Sequence, residues 1–293
     1  MALQCPSCGS KSQGQCDHMG QDTSYAGSWL KCIECGSVRV DPMPTGEDLK
    51  SFYESYYSRE LLPVPPTVRA SIRAMVEQLD WARTGRGNLL EFGYGEGLFL
   101  REAASAGWKC SGVEYAKDSI ELGLEDGWDV VGGDLKDSAL PGPFDAVVVI
   151  ETLEHVLDPD ALIAQCAERT RSGGVIFGTT PNALSLNARV FKSKWSVMAA
   201  PEHVVLFSPE GLSRLLRRHG FESISIRSHG INPHQIVGRI RPQREGAGRV
   251  ESAYRLNESL QARRSGRILR ATVNSFLGQT SLGDSLTFTA RKA

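Results

Sequence analysis

The sequence predicts an α/β protein in which a mostly parallel β-sheet is covered by helices on both faces, with a small metal-binding module in front. Three observations support this. Strand and helix patterns alternate between residues 86 and 180, a glycine-rich turn follows the first of these strands, and two Cys-x-x-Cys motifs precede them. Such alternation requires right-handed crossovers, which place helices on both faces of a parallel sheet.

The composition is typical of a globular protein that folds in water. The 293 residues are 41% hydrophobic and 23% charged, and the formal net charge is −1. This balance gives no general attraction to nucleic acid or to anionic membranes. The first residues have neither the basic start nor the apolar core of a signal peptide, and no apolar run approaches the ~18–20 residues that span a bilayer. We therefore expect a cytoplasmic protein without membrane insertion.

Four of the seven cysteines form two knuckles, Cys5-x-x-Cys8 and Cys32-x-x-Cys35. Disulfides are rare in the cytoplasm, so clustered cysteines need another role. Paired knuckles at this spacing indicate zinc held tetrahedrally by four thiolates, with a redox-active dithiol as the alternative. Because four thiolates close the coordination shell, we expect a structural metal that takes no part in chemistry.

The sequence predicts three regions along the chain. Residues 1–40 form the knuckle module, in which Cys16 and His18 are interpreted as bystanders. Residues 41–85 form a helical linker with an aromatic face that either packs on the main domain or gates a substrate cleft. This face consists of Phe52, Tyr53, Tyr56 and Tyr57. Residues 86–293 form the main domain.

The strands and helices of the main domain are predicted from apolar runs and from the residues that begin or end helices. Strands are predicted at 88–92, 108–114, 128–131, 144–150, 174–179, 221–228 and 285–291. Helices are predicted at 97–106, 117–125, 158–170 and 208–219, after a linker helix at 68–83. An arginine-rich insertion at 238–278 is predicted to contain a long helix over 249–276. Its charged face is either solvated or grips a phosphate-bearing substrate.

A glycine-rich turn follows the first strand of the main domain, at Gly93-Tyr94-Gly95-Glu96-Gly97. Glycine lets the chain turn tightly and lets a ligand lie against bare backbone. The spacing differs from the G-x-G-x-x-G of dinucleotide sites. Glu91, just before the turn, would repel a phosphate and suit a cationic ligand. The sequence therefore predicts a cofactor cradle at the carboxyl end of this strand.

Acidic residues also follow the next strands. Glu114 ends the second strand, where a carboxylate can bind both hydroxyls of a ribose. Asp134 follows the third strand, where it can reach an adenine amino group. Glu151, Glu154 and His155 follow the fourth strand, a nearly continuous apolar run of the kind buried in parallel sheets. These side chains should meet at one edge of the sheet.

This ordered set of motifs resembles the class I S-adenosylmethionine-dependent methyltransferases, most closely over residues 86–235. The resemblance implies a Rossmann-like, seven-stranded sheet whose last strand is antiparallel to the rest. It also implies that S-adenosylmethionine lies along the strand ends, with methionine at the glycines, ribose at Glu114 and the sulfonium side at the fourth strand. The implied cofactor-binding residues are Glu91, Gly93, Tyr94, Gly95, Gly97, Glu114, Tyr115, Asp134, Leu135, Ile150 and Glu151.

Two histidines are candidates for the base that an oxygen or carbon acceptor needs. Histidine suits proton transfer at neutral pH, and both His155 and His203 belong to segments that follow strands of the sheet. Related family members have a Glu-His pair after the fourth strand and a histidine loop before the Ser-Pro-Glu helix. Each histidine could instead have a structural role. Glu151, Glu154 and His155 could also hold a divalent cation.

The predicted function is methyl transfer from S-adenosylmethionine to O, C or N of a small-molecule acceptor that is sugar-linked, lipid-like or of another class. The acceptor could be phosphate- or nucleotide-linked, since the knuckles and aromatic helix resemble a subgroup linked to sugar, polysaccharide and secondary-metabolite assembly. An RNA methyltransferase is the alternative, against which the net charge argues. A non-catalytic scaffold is a third. The sequence does not determine the oligomeric state.

Overall fold

The structure, a computed structural model, describes most of the chain. The described residues are 4–10, 16–21, 25–56, 64–83, 85–133, 140, 142–231, 277 and 280–293. Asp134, Leu135, Tyr57, the helix predicted over 249–276 and nearly all of the 238–278 insertion lie outside these residues.

A seven-stranded sheet forms the centre of the main domain. Its strands, in chain order, are β4 (Asn88–Phe92), β5 (Lys109–Glu114), β6 (Asp129–Gly132), β7 (Phe144–Ile150), β8 (Thr170–Pro181), β10 (Phe221–His229) and β11 (Ser285–Lys292). They lie side by side in the order β10-β11-β8-β7-β4-β5-β6. Only β11 runs antiparallel to its neighbours. The order reverses at β4, so a cleft opens beyond the carboxyl ends of β4, β5 and β7.

A second, four-stranded sheet joins the knuckle module to the main domain. Its strands are β1 (Cys16–Gln21), β2 (Ser28–Cys32), β3 (Val38–Asp41) and β9 (Val205–Leu206), in the order β1-β2-β3-β9. The first three come from the module and β9 comes from the main domain. This sheet was not predicted from the sequence. The division into three regions stays a prediction, although β3 and β9 pair directly.

The helices are α1 (Gly46–Tyr56), α2 (Pro66–Ala82), α3 (Leu98–Ser105), α4 (Lys117–Glu125), α5 (Pro159–Arg169), α6 (Leu186–Phe191) and α7 (Pro209–Arg218). Short 3-10 turns cover Leu153–His155 and Lys192–Lys194. Helix α7 begins as predicted, with Pro209 in its first turn and Ser208 accepting a hydrogen bond from Gly211 N. No helix among the described residues has the length and apolar character that crossing a bilayer requires.

Two apolar clusters pack against opposite faces of the seven-stranded sheet. One includes Leu89, Val148 and Phe177 of the sheet and side chains of α2 and α3. The other includes Leu90, Val147 and Ile176 with α5 and α7, together with Trp29, Val38 and Val40 of the knuckle module. Neighbouring residues of one strand thus point to opposite clusters, as a sheet buried on both faces requires. The predicted Rossmann-like α/β fold is confirmed.

Candidate functional site

The glycine turn between β4 and α3 holds three glycines with positive φ angles: 69° at Gly93, 52° at Gly95 and 70° at Gly97. A methyl group on Gly93 would lie 2.7 Å from Thr152 Oγ1, and one on Gly97 would lie 2.5 Å from the Trp128 ring. Around Gly95, no atom of the described residues would come within 4 Å of such a methyl. Two glycines are therefore required by packing, and the middle one faces open space where a ligand can touch backbone.

Glu114, at the end of β5, ties the glycine turn to the neighbouring strand. Its Oε2 accepts a hydrogen bond from Gly95 N at 2.8 Å. Its Oε1 accepts from Tyr115 N at 2.7 Å and from Ala116 N at 3.3 Å. Each carboxylate oxygen has two lone pairs, so these three bonds leave one on Oε2, which can accept from a ribose hydroxyl.

Glu91 is buried one strand away, and its Oε2 has no hydrogen-bond partner among the described residues. Burial, and then the neighbouring charge of Glu114, raise the pKa of Glu91 well above its usual range. A cation nearby would reverse this effect, because it favours the ionised carboxylate. The orphaned carboxyl and the open backbone at Gly95 fit S-adenosylmethionine, which carries positive charge on its sulfonium and its amino group.

The two tyrosines of the predicted cofactor set lie in different surroundings. The ring of Tyr94 is buried beneath Gly112, and its hydroxyl donates to the carbonyl of Ser119 at 2.9 Å. Burial, with smaller contributions from two carboxylates, raises the pKa of Tyr94 to about 12. Tyr115 is 74% exposed, and its ring lies next to Gly133. Tyr115 can therefore cover a flat ligand, whereas the side chain of Tyr94 supports the turn from inside.

The chain bends sharply where β7 ends. Ile150 is half-buried, and Glu151 follows with a φ of +46° and an exposed side chain. Its amide donates to Thr179 O at 3.0 Å, which holds this unusual backbone in place. Thr152 Oγ1 then lies 2.9 Å from Ile150 O and 3.2 Å from Phe92 O, and its single proton can be donated to either carbonyl. Backbone strain of this kind costs about 1–3 kcal/mol and concentrates at functional sites.

His155 and His203 lie together, with ring centroids 4.7 Å apart. Nδ1 of His155 lies 2.6 Å from Glu202 O, and Nδ1 of His203 lies 2.6 Å from Val197 O. A carbonyl can only accept, so each Nδ1 carries a proton and each neutral ring has its lone pair on Nε2. Burial, and then His203, lower the pKa of His155 to about 4.

Glu154 is the third member of this cluster. Its Oε2 accepts from Thr180 Oγ1 at 3.0 Å, and its Oε1 lies 3.9 Å from His155 Nε2. Oε1 is buried and has no hydrogen-bond partner among the described residues. Ligand atoms of Glu154, His155 and His203 all lie within 4.8 Å of one another. The side chain of Glu151, which the sequence grouped with Glu154 and His155 as a cation site, is not in this set.

The four predicted metal ligands converge in the knuckle module. Cys5 Sγ lies 3.8 Å from Cys35 Sγ, and Cys8 Sγ lies 3.8 Å from Cys32 Sγ. All four sulfur atoms lie within 4.8 Å of one another. Zinc–sulfur bonds of about 2.3 Å give a tetrahedron with edges of about 3.8 Å, so the sulfur positions fit a zinc ion. Structure is described only for the backbone of Cys16 and His18.

Two residues of the site, and one on the strand that pairs with β9, were not singled out from the sequence. Thr152 packs on Gly93, and Thr180 holds Glu154. Arg39 is buried on β3, opposite Val205, and its Nη2 has no hydrogen-bond partner among the described residues. The roles of both threonines depend on contacts between strands, which leave no local sequence signal. A charged residue in a short apolar strand was the available signal for Arg39.

Both the sequence and the fold of the chain are similar to those of known proteins. A family model described as "Methyltransferase domain" matches residues 57–226, more than half of the chain. The ubiquinone biosynthesis O-methyltransferase of Thiobacillus denitrificans is 28% identical over 166 residues, which cover 52% of this chain and 72% of the relative. The enzyme of the same name from an Azoarcus species is 27% identical over 180 residues, covering 53% and 75%.

Among solved structures, a SAM-dependent methyltransferase from Archaeoglobus fulgidus superposes with a TM-score of 0.51 and 19% sequence identity. The superposition covers 83% of this chain and 99% of the other. At this level of identity the similarity concerns the fold alone.

Proposed function

Since the chain belongs to the S-adenosylmethionine-dependent methyltransferases, we propose that it methylates a hydroxyl group of a small-molecule acceptor and releases S-adenosylhomocysteine. The main support is the pairing of His155 with His203 in the segment after β7, which contacts the glycine turn through Thr152. The two relatives are named as O-methyltransferases, which supports oxygen as the accepting atom. A net charge of −1 favours a metabolite over RNA as the acceptor.

The cofactor would lie along the carboxyl ends of β4, β5 and β7. S-Adenosylmethionine, when bound, supplies an electrophilic methyl group on a sulfonium. Glu91 and the three glycines would hold its methionine part, and Glu114 would bind its ribose. Tyr115 would cover the adenine, and the segment from Ile150 would line the sulfonium side. Tyr94 would contribute through its backbone. Asp134 and Leu135 lie outside the described residues, so their assignment to the adenine rests on the sequence and on the family resemblance.

The histidine pair would remove the acceptor proton. Each ring is oriented by its Nδ1–H bond to a carbonyl, so in the neutral form of the ring Nε2 has the lone pair that a base needs. The hydroxyl proton would move to Nε2 of His155 or His203, which would leave the oxygen lone pair to accept the methyl group, with S-adenosylhomocysteine as the leaving group. Both rings are partly buried, which keeps water from competing for that proton.

A divalent cation is the second candidate for this role. The specific observation is Oε1 of Glu154, a buried oxygen without a hydrogen-bond partner that faces two histidines already oriented by carbonyls. Metal-bound histidines use their second nitrogen in this way. A cation held by Glu154, His155 and His203 would lower the pKa of an acceptor hydroxyl. Activity that disappears on chelation, returns with Mg²⁺ or Zn²⁺ and is abolished by Glu154→Gln would identify this mechanism.

We also propose that the four-cysteine module holds one structural zinc. Its sulfur positions match the edges of a zinc tetrahedron, and the first turn of α7 lies against it at Gly211. The positive end of a helix stabilises thiolates. Mass spectrometry should find about one zinc per chain. A metal-free protein with intact knuckles would contradict the assignment.

The central experiment compares three histidine variants. Labelled S-adenosylmethionine is supplied with panels of phenols, catechols and nucleotide sugars, and S-adenosylhomocysteine affinity is measured by calorimetry. His155→Gln and His203→Gln should each lower kcat by on the order of 10²-fold, with cofactor affinity within about twofold. His219→Gln is the matched control, because His219 contacts Asp160 beyond the end of α7. Full turnover in both site variants would rule out the proposed base.

A further inference from the structure

We infer that the knuckle module positions the segment that carries His203. The parts of the module that matter here are its four cysteines and its strands β2 and β3. The metal state of the module would then control the acceptor side of the cleft and leave the cofactor side unchanged. The inference rests on the proposed function in one respect, namely that His203 belongs to the acceptor site.

The first connection is a continuous sheet. The Cys32 amide donates to Ser37 O at 2.8 Å, which closes the second knuckle directly before β3. Strand β3 then pairs antiparallel with β9, with Val38 opposite Leu206 and Arg39 opposite Val205. Strand β9 begins two residues after His203. The hydrogen-bonded sheet therefore extends from Cys32, the last residue of β2, to Val205, two residues after His203.

The second connection is Val204, the residue directly after His203. Its carbonyl accepts from Val40 N at 3.0 Å, and its amide donates to Glu154 O at 2.8 Å. Val204 thus links β3 to the 3-10 turn that includes His155. Its side chain is fully buried, so this backbone has little freedom to move while β3 is in place. Loss of β3 would remove one of the two hydrogen bonds that fix Val204.

The third connection is the start of α7. Ser208 N donates to Ser37 Oγ at 3.0 Å, and Ser208 Oγ donates to the carbonyl of Cys35. At the other end of α7, Arg218 Nη1 donates to Ser7 O at 2.8 Å. Both knuckles are therefore attached to the helix that follows β9. The segment between His203 and α7 is held at β9 and at Ser208 by the same module.

Burial explains why metal loss would reach this segment. Trp29, Val38 and Val40 of the module are buried in the same cluster as Val204 and Leu206. A module of this size depends on its metal for much of its folding free energy. Without metal, these shared side chains would lose their fixed positions, and the acceptor segment would lose its packing.

The glycine turn is held by contacts that do not come from the knuckle module. Gly93 N donates to Val113 O at 2.8 Å, Gly95 N donates to Glu114, and Thr152 packs on Gly93. These contacts come from β5 and from the residues after β7. The cofactor side should therefore keep its structure when the module loses its metal.

The experiment is hydrogen exchange by mass spectrometry on the full chain, before and after a chelator removes the metal, with metal content measured in both samples. Peptides over 202–207 should exchange about tenfold faster or more after metal removal, because local stability is lost there. Peptides over 88–97 should keep their rate, and S-adenosylhomocysteine affinity should change by less than about twofold. An equal increase in both regions, an unchanged rate at 202–207 or a knuckle module purified without metal would overturn the inference.

A variant pair tests the same connection with metal still bound. Ser37→Ala removes the hydrogen bonds to Ser208 and should speed exchange at 202–207 severalfold without loss of metal. Ser10→Ala is the matched control, because Ser10 Oγ donates to Glu34 on the exposed side of the module. Parent-like exchange in Ser37→Ala, or equal effects of both changes, would count against the inference. Failure to bind S-adenosylhomocysteine would refute the proposed function, whereas the exchange results test the coupling separately.

Discussion

Glu114 accepts a hydrogen bond from the backbone amide of Gly95 at 2.8 Å, across the glycine turn. The same carboxylate would accept a hydrogen bond from a ribose hydroxyl. Glu114→Gln keeps the shape of the side chain and removes its charge, so S-adenosylhomocysteine affinity should fall by on the order of tenfold to a hundredfold. Calorimetry measures this change. Glu121→Gln, on the exposed face of α4, is the control, and unchanged affinity in Glu114→Gln would refute the ribose assignment.

A substitution at Gly95 tests cofactor binding independently of folding stability. Alanine at Gly95 would face open space but extend into the proposed cofactor position, and a positive φ of 52° costs about 1 kcal/mol for a side chain. Gly127→Ala has a comparable cost, because Gly127 has a φ of 79° and open surroundings at the end of α4. Both variants should lose similar stability in urea, and only Gly95→Ala should lose S-adenosylhomocysteine binding. Equal binding by both would place the cofactor elsewhere.

Glu91 should make the cofactor-free protein less stable as pH rises. Its pKa is raised in the folded state by burial and by Glu114, so the folded protein keeps a proton that the unfolded chain releases above about pH 4.5. Stability is therefore lost as pH increases from that point through the raised pKa. Glu91→Gln removes this contribution. Urea unfolding at pH 5 and pH 7.5 should show the variant gaining more stability relative to the parent at the higher pH, and a gain as large or larger at pH 5 would contradict the burial argument.

The sequence was sufficient where the signal is local. Strands β4 and β7 have the predicted bounds, because continuous apolar runs end at glycine or at acidic residues. Strand β8 runs over 170–181, beyond the predicted 174–179, because pairing with β11 and β7 extends it through polar residues at both ends. Strand β9 has only two residues, so it has no periodicity to detect. Its existence depends on Val38 and Arg39, far away in the chain.

The candidate site likewise has parts that the sequence predicted and parts that it did not. The residues of the cofactor cradle and the two histidines could be identified from the sequence, because a ligand at the carboxyl ends of parallel strands requires particular residue types directly after each strand. The contact between His155 and His203 was not predictable, because it depends on how the loop before β9 folds back to Glu154. The buried ring of Tyr94 shows a related limit. A G-x-G pattern describes backbone, and the direction of the side chain between the glycines depends on packing against Gly112.

Asp145 connects the start of β7 to three other segments, and its loss should destabilise the whole domain. Its Oδ1 accepts from Arg83 Nη2 and from Arg171 Nε at 2.7 Å each, and its Oδ2 accepts from Asn88 N at 2.7 Å. The Arg83 and Asp145 side chains are only 10% and 15% exposed, so breaking this pair leaves a guanidinium poorly solvated. Asp145→Asn should lower the free energy of unfolding by about 2–3 kcal/mol.

The matched control for this change is Asp126→Asn. Asp126 pairs with Arg101 at 2.8 Å, but the two side chains are 31% and 38% exposed, so water and salt screen the pair. Its loss should cost less than about 1 kcal/mol. Urea unfolding of both variants beside the parent measures the difference, and cofactor affinity should stay near the parent value in each. Equal losses in the two variants would show that burial of Asp145 adds nothing to the strength of its ion pairs.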